Sequence, residues 1–194
     1  MHIQPNHTAN TVFRPTYRIA ELSELPTEKT EEFFHVVNDC WNQAHSYYLV
    51  EERHDRYATI EQLKTEALKS KVYVLLDQQS GKIGGGVQFN TTYQKVNAYF
   101  GTLCIHKEYQ GKGLAERLIK YVEKEAYKCH KQHLYIWVVD CADKLKKFYQ
   151  GLGFTFTGKK FTRDSTFLER VKPNFKERVH FQEMVKLLSF DSKL

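Results

Sequence analysis

Apolar residues recur along this chain with two distinct periods, and the switches between them mark its elements. Arg18-Ile19-Ala20 is a short candidate strand. Pro26-Thr27 then opens a stretch with Phe33, Val36, Val37, Cys40 and Trp41 at helical spacing, and acidic Glu28, Glu31 and Glu32 near its start. Thr59-Ile60-Glu61-Gln62 has a capping-box pattern and predicts a second helix to about Lys69. From Val72 the period shortens. Val72–Leu76 predicts a strand, Asp77–Lys82 a glycine-containing hairpin, and Ile83 to about Thr92 the returning strand. Its Gly84-Gly85-Gly86 run predicts a bulge or a close backbone approach. Ala98–Ile105 is the next strand. Leu114 to about Lys128 is a long helix, with Ala115, Ile119, Val122, Ala126 and Cys129 expected on its buried face. Leu134–Val139 is a nearly continuous apolar run, suited to the middle of a sheet. Asp143–Gln150 predicts a short helix, with Gly151 as its left-handed cap. Phe154–Thr157 and His180–Leu188 predict two last strands, separated by a polar excursion over Phe161–Glu177 with no clear period.

The junction between the Ala98–Ile105 strand and the long helix carries the most chemistry. There Gln110-Gly111-Lys112-Gly113-Leu114-Ala115 leads into the helix. Free N–H groups and the positive end of a helix dipole converge at such a turn, and glycine lets the backbone approach an anion closely. A Walker loop requires Gly, four residues, then Gly-Lys and Ser/Thr, and no such run occurs. The dinucleotide fingerprint requires a third glycine that is missing here. The pattern present is Gln110, two residues, Gly113, one residue, Ala115. At a strand–helix junction this resembles the pyrophosphate-binding signature of the GNAT superfamily of N-acetyltransferases. A second motif strengthens the resemblance. After Leu134–Val139 comes a segment holding Tyr149 and ending in Leu152-Gly153-Phe154, on the positions of the family's fifth strand and following helix.

The resemblance implies an α/β fold, α+β by a stricter definition: a mixed, mostly antiparallel, twisted sheet of six or seven strands with helices on both faces. It implies that the sheet splays between the strands ending near Ile105 and Val139, and that acetyl-CoA enters that split. Gln110, Gly111, Lys112, Gly113, Leu114 and Ala115 would hold the pyrophosphate, and the main chain of Leu103, Cys104 and Ile105 would pair with the pantetheine arm. Tyr149 would be the general acid, placed near the sulfur. The position where some relatives carry a glutamate base is Tyr99, which is no base at neutral pH. Asp140 at the end of the fifth strand is the remaining candidate, beside a water relay; its other reading is a strand-end residue or helix cap. His106 has a suitable intrinsic pKa but also reads as a surface turn residue. Many relatives carry Asn where Ala142 stands, so one pantetheine contact is expected to be lost.

Composition narrows the picture. The 194 residues are expected to form one acetyltransferase domain, 1–194, with 1–13 a flexible lead-in. No apolar run approaches the length of a bilayer crossing and no secretory leader is visible, so no membrane role and a cytoplasmic location are expected. Cys40, Cys104, Cys129 and Cys141 have no framework spacing, which suits reduced thiols. The net charge of +6 fits a polyanionic ligand, and lysines spread along the chain do not suggest nucleic acid. Cys129-His130-Lys131-Gln132-His133 offers too few ligands for a metal, so none is expected. The expected acceptor is a small primary amine. Alternatives are a lysine or N-terminus of a protein, or a non-catalytic acyl-CoA-binding module. The acceptor is expected in a region lined by the first helical stretch, its Tyr47–Arg56 connector and the Phe161–Glu177 excursion, where Glu51, Glu52 and Asp55 could attract a cation or read simply as solvated charges. Homodimers are common among relatives, but no interface is marked.

Overall fold

A computed structural model describes residues 16–45, 48–50, 55–162 and 165–189. Glu51 and Glu52, part of Tyr47–Arg56, and the 1–13 segment lie outside them. Seven strands form one sheet in the order β1-β2-β3-β4-β5-β7-β6. In chain order they are β1 (Tyr17–Glu21), β2 (Lys71–Asp77), β3 (Ile83–Gln94), β4 (Asn97–Ile105), β5 (His133–Val139), β6 (Thr155–Phe161) and β7 (Phe181–Leu187). Every pairing is antiparallel except β4 with β5. The helices are α1 (Thr27–His45), α2 (Ile60–Lys69), α3 (Leu114–Lys128), α4 (Asp143–Gly151) and α5 (Ser165–Glu169), with short 3-10 turns at Leu22–Glu24, Lys107–Tyr109 and Pro173–Arg178.

The two faces of the sheet are covered differently. On one, Leu114, Leu118, Ile119, Val122 and Ala126 of α3, with Tyr149 of α4, pack on Phe89, Phe100, Leu134, Ile136 and Val138. Ala115 is only partly buried and Cys129 is exposed, against expectation. The helix is rotated so that Leu114 and Leu118, a turn apart, take those places, because a leucine removes more apolar surface from water than an alanine. On the other face, Phe33, Val37 and Cys40 of α1 and Leu63 of α2 cover Val72, Val74, Leu76 and Cys104. Thr59 caps α2, its hydroxyl accepting from Gln62 N–H at 3.2 Å, while the Gln62 side chain takes the Ala58 N–H at 2.8 Å.

The Phe161–Glu177 stretch is ordered by packing rather than by period. α5 and the Pro173–Arg178 turn fold back over the end of β5. Phe167, Leu168 and Val171 join Tyr48, Leu49, Val139 and Phe181 in a third apolar cluster. Backbone bonds fasten this wall to the segment after α1, Val50 N–H to Arg170 O at 2.8 Å and Lys172 N–H to Tyr48 O at 2.9 Å. Gly151 is not the left-handed cap. It is the last residue of α4, and the positive φ of 89° falls at Gly153, where the chain turns into β6. No helix among the described residues is long and apolar enough to cross a membrane.

Candidate active site

Two irregularities in β4 create the site. The first is a bulge. Gly86 pairs with Cys104 and Gln88 with Gly101, so Val87 on β3 stands opposite two residues, Thr102 and Leu103. Thr102 absorbs the extra residue with a φ of 52°. The bulge inverts the side-chain alternation. Ala98 and Phe100 face α3 before it, and Leu103 and Ile105 face α3 after it, while Cys104 turns to the α1 side. The second irregularity is a split. β5 pairs with β4 only over Asn97–Tyr99, then follows β7 from His133 to Val139. From Gly101 to Ile105, therefore, β4 has no strand beside it on the β5 side. Main-chain groups along that stretch can pair with an amide-bearing ligand, as in strand addition.

The Gln110–Ala115 turn stands at the end of this opening. Gly113 caps α3 in the left-handed conformation, with φ 71° and no side-chain cap bond, and Gly111 has φ 75°. The first helical bond reaches from Arg117 N–H to Gly113 O at 3.1 Å, so the amides before it point outward unspent. A Cβ built at Gly111 or Gly113 meets no atom within 4 Å, so the space before these amides is open. Amide donors, a dipole end and free space together form a cradle that fits a diphosphate. Gln110 has a further part that its sequence position did not reveal. Its side chain donates to Ile105 O at 2.9 Å and ties the turn to the end of β4. The Lys112 ammonium donates to Glu108 O at 3.1 Å and lies 5.3 Å from the Tyr109 ring centre.

Tyr149 is carried by α4 to the split. It is 6 % exposed, its ring edge-on to Phe100 at 6.1 Å and to Phe154 at 5.8 Å. Burial, with the Tyr99 phenol nearby, pushes its hydroxyl well above the ordinary tyrosine pKa. It therefore holds its proton at neutral pH. Asp140 directly follows β5, in keeping with its reading as a strand-end residue. It does not cap α4, whose N-cap is Ala142 without a side-chain bond. Its carboxylate accepts from Lys146 Nζ at 2.9 Å and from Gln182 Nε2, with Arg178 Nε at 3.7 Å and His180 Nε2 at 3.9 Å. Although burial opposes the charge, the Lys146 hydrogen bond and the surrounding cations hold the carboxyl below its usual range. His106 lies at the turn, 4.0 Å from Glu108.

On the face that carries α1, a row of aromatic rings lies beside the bulge. Tyr99 and Trp137 have ring centres 5.1 Å apart, and Trp137 and Phe161 4.7 Å. Trp137 is 39 % exposed. Glu183 is buried beside them at 1 % exposure, accepting from the Tyr93 hydroxyl at 3.1 Å and the Thr157 hydroxyl at 3.0 Å. Arg56 stands at the other side, its Nε 3.4 Å from the Thr102 hydroxyl. These residues come from six separate segments, and only the fold gathers them. Among the described residues no group of three or more His, Cys, Asp or Glu side chains is placed to hold a metal.

Residues 22–168 match the family model of the acetyltransferase (GNAT) domain. The chain belongs to the GNAT acetyltransferases, and acetyl transfer is the activity of that class. Solved structures share the fold. The ribosomal-protein-S18-alanine N-acetyltransferase from Escherichia coli superposes with a TM-score of 0.64 at 15% identity, covering 92% of this chain and 97% of that one. A GNAT family acetyltransferase from Elizabethkingia anophelis, solved with acetyl-CoA bound, gives 0.59 at 12% identity, covering 89% and 98%. N-acetylglutamate synthase from Neisseria gonorrhoeae, complexed with coenzyme A and N-acetyl-glutamate, gives 0.61 at 12% identity, covering 92% of this chain and 36% of that one. A sequence search of curated proteins finds no match.

Proposed function

We propose that this protein transfers an acetyl group from acetyl-CoA to a small primary amine. The observation that carries the reading is the β4–β5 split, open along Gly101–Ile105 and ending at the uncapped amides of α3. Neighbours of the same fold hold acetyl-CoA or coenzyme A. Here the amides of Gly111 to Ala115 would bind the diphosphate, and the main chain of Leu103, Cys104 and Ile105 would align the pantetheine arm. Acetyl-CoA supplies the acetyl group as a thioester, so the acceptor nitrogen gains a carbon bond and loses a proton while the sulfur keeps the bonding pair and takes up a proton.

Tyr149 donates a hydrogen bond from its hydroxyl to the departing sulfur and keeps its own proton, while the thiolate takes its proton from water. The hydrogen bond of a buried, protonated phenol strengthens as negative charge develops on its acceptor, which favours the transition state over the ground state. Asp140 is better suited to positioning than to taking a proton. Its Oδ1 already accepts from Lys146 and Gln182 and its acidity is raised by neighbouring cations, so it has little drive to act as a base. It instead ties the α4 that bears Tyr149 to β7. The amine's proton then leaves through water.

The acceptor side supports a small molecule. The wall of α5 and the Pro173–Arg178 turn, bonded to Tyr48 and Val50, stands over the end of β5 and would leave room on that side for a small acceptor. The test is thiol release from acetyl-CoA with a panel of free amines and of peptides. Turnover of free amines is expected. Turnover of peptides alone would reassign the protein as a protein acetyltransferase, and tight binding of coenzyme A without turnover would make it a binding module.

A further inference from the structure

Arg56 has more donors than the protein uses. Its guanidinium lies 5.4 Å from the Trp41 ring centre and 4.7 Å from that of Tyr57, and it is partly buried. Its Nε reaches the Thr102 hydroxyl at 3.4 Å. Among the described residues no carboxylate lies within ion-pairing distance of it. Its neighbour Asp55 turns instead to the Asn42 amide, at 2.7 Å. A guanidinium cannot shed its charge, and a partly desolvated cation is expected to have an anion. The two rings hold the planar fork in one orientation, so its terminal N–H groups are preorganised for a bidentate oxyanion.

The position of that fork gives it a purpose. Thr102 is the bulge residue at the mouth of the split. Its hydroxyl donates onward to Gln88 at 3.2 Å, which fixes it on the α1 side, opposite α3. An anion held by Arg56 therefore sits next to the place where the acetyl group would be delivered, and on the side from which an acceptor approaches. The rings of Tyr99, Trp137 and Phe161 line the same face and offer apolar area to the rest of the molecule. Glu183 is already addressed by the Tyr93 and Thr157 hydroxyls and, at 3.7 Å, by the Lys159 ammonium, so it does not compete for a cation.

We propose that Arg56 binds a carboxylate on the acceptor, and that the acceptor is an α-amino acid or a close analogue with an apolar or aromatic side chain. The proposal rests on the acetyl-transfer reading above. In such a molecule one carbon separates carboxylate from amine, so fixing the first at Arg56 brings the second to the bulge.

The experiment uses the full chain and matched acceptors, L-phenylalanine against phenethylamine and L-methionine against its decarboxylated amine, assayed by thiol release. The carboxylate-bearing member should have at least about tenfold the kcat/KM of its partner. Arg56→Gln should raise KM for it by about tenfold or more, Arg56→Lys by less, and acetyl-CoA affinity measured by calorimetry should stay within about twofold. Calorimetry with N-acetyl-L-phenylalanine and coenzyme A should show the same Arg56 dependence without turnover. Equal use of the two members of a pair would overturn the proposal. So would a loss of acetyl-CoA affinity in Arg56→Gln, which would assign the guanidinium to the acetyl donor. If the wild type itself binds no acetyl-CoA, the acetyl-transfer reading falls first.

Discussion

Two glycines of this chain form a matched pair for testing the diphosphate cradle. Gly113 has φ 71° at the start of α3, and Gly81 has φ 69° in the hairpin between β2 and β3. A Cβ at either meets nothing within 4 Å. Alanine therefore brings no clash with the protein at either site, only the strain of a left-handed backbone. That strain is about 1–2 kcal/mol. The loss of freedom in the unfolded chain offsets about 0.4–1 kcal/mol of it. A net cost near 1 kcal/mol in a domain of this size lowers Tm by about 2–4 °C. Gly81→Ala and Gly113→Ala should show this same shift in thermal denaturation. They should differ in ligand binding. At Gly113 the methyl group enters the space before the α3 amides, so affinity for coenzyme A should fall by about tenfold or more, ~1.4 kcal/mol. Gly81→Ala should bind like the wild type. Isothermal titration with coenzyme A decides it. Equal affinities in the two variants would refute the placement of the diphosphate at Gly113. A much larger Tm loss in Gly113→Ala alone would show that the backbone there carries a packing role not accounted for.

Tyr149→Phe should lower kcat by at least about tenfold while acetyl-CoA affinity, by titration, changes little, since the ring contacts with Phe100 and Phe154 are kept. Because burial raises the Tyr149 pKa, the wild-type kcat should show no fall from its ionisation up to about pH 10; a fall absent from Tyr149→Phe would contradict this. Asp140→Asn should cost roughly 1.5–3 kcal/mol at neutral pH by removing the charge that Lys146 and Gln182 address. The folded carboxyl has a lower pKa than the unfolded one, so its contribution is complete above the ordinary carboxylate range and fades as pH falls through the folded value. The Tm gap between variant and wild type should be widest near pH 7 and shrink as pH falls below the ordinary carboxylate range; a gap independent of pH would remove the charge from the explanation.

The periodic elements are legible in the sequence itself. α1, α2, α3 and β2 to β5 fall where the spacing of apolar residues puts them, because each must bury one side against the sheet or another helix. The glycine turn was legible too, since left-handed positions at Gly111 and Gly113 leave few other residues tolerable. Local pattern failed where distant segments decide. Gly151 looked like a cap, but the chain turns at Gly153, whose φ is set by the entry into β6. Asp140 could be read as a cap for α4, but its carboxylate is bonded instead to Lys146 and Gln182, 6 and 42 positions away along the chain. Arg56 was one charge in a charged connector. Nothing in its neighbours foretold two flanking rings and a threonine hydroxyl from β4.

The sequence alone determined the class of the fold, the family and the strand–turn–helix that would grip a phosphate, because periodicity and backbone-restricted glycines act over a few residues. Only the tertiary structure decided where the sheet opens, that Thr102 is the bulge, and which side chains meet across the opening. Those outcomes depend on strand register and on pairing between segments far apart in the chain, and a one-residue shift in register sends a side chain to the opposite face.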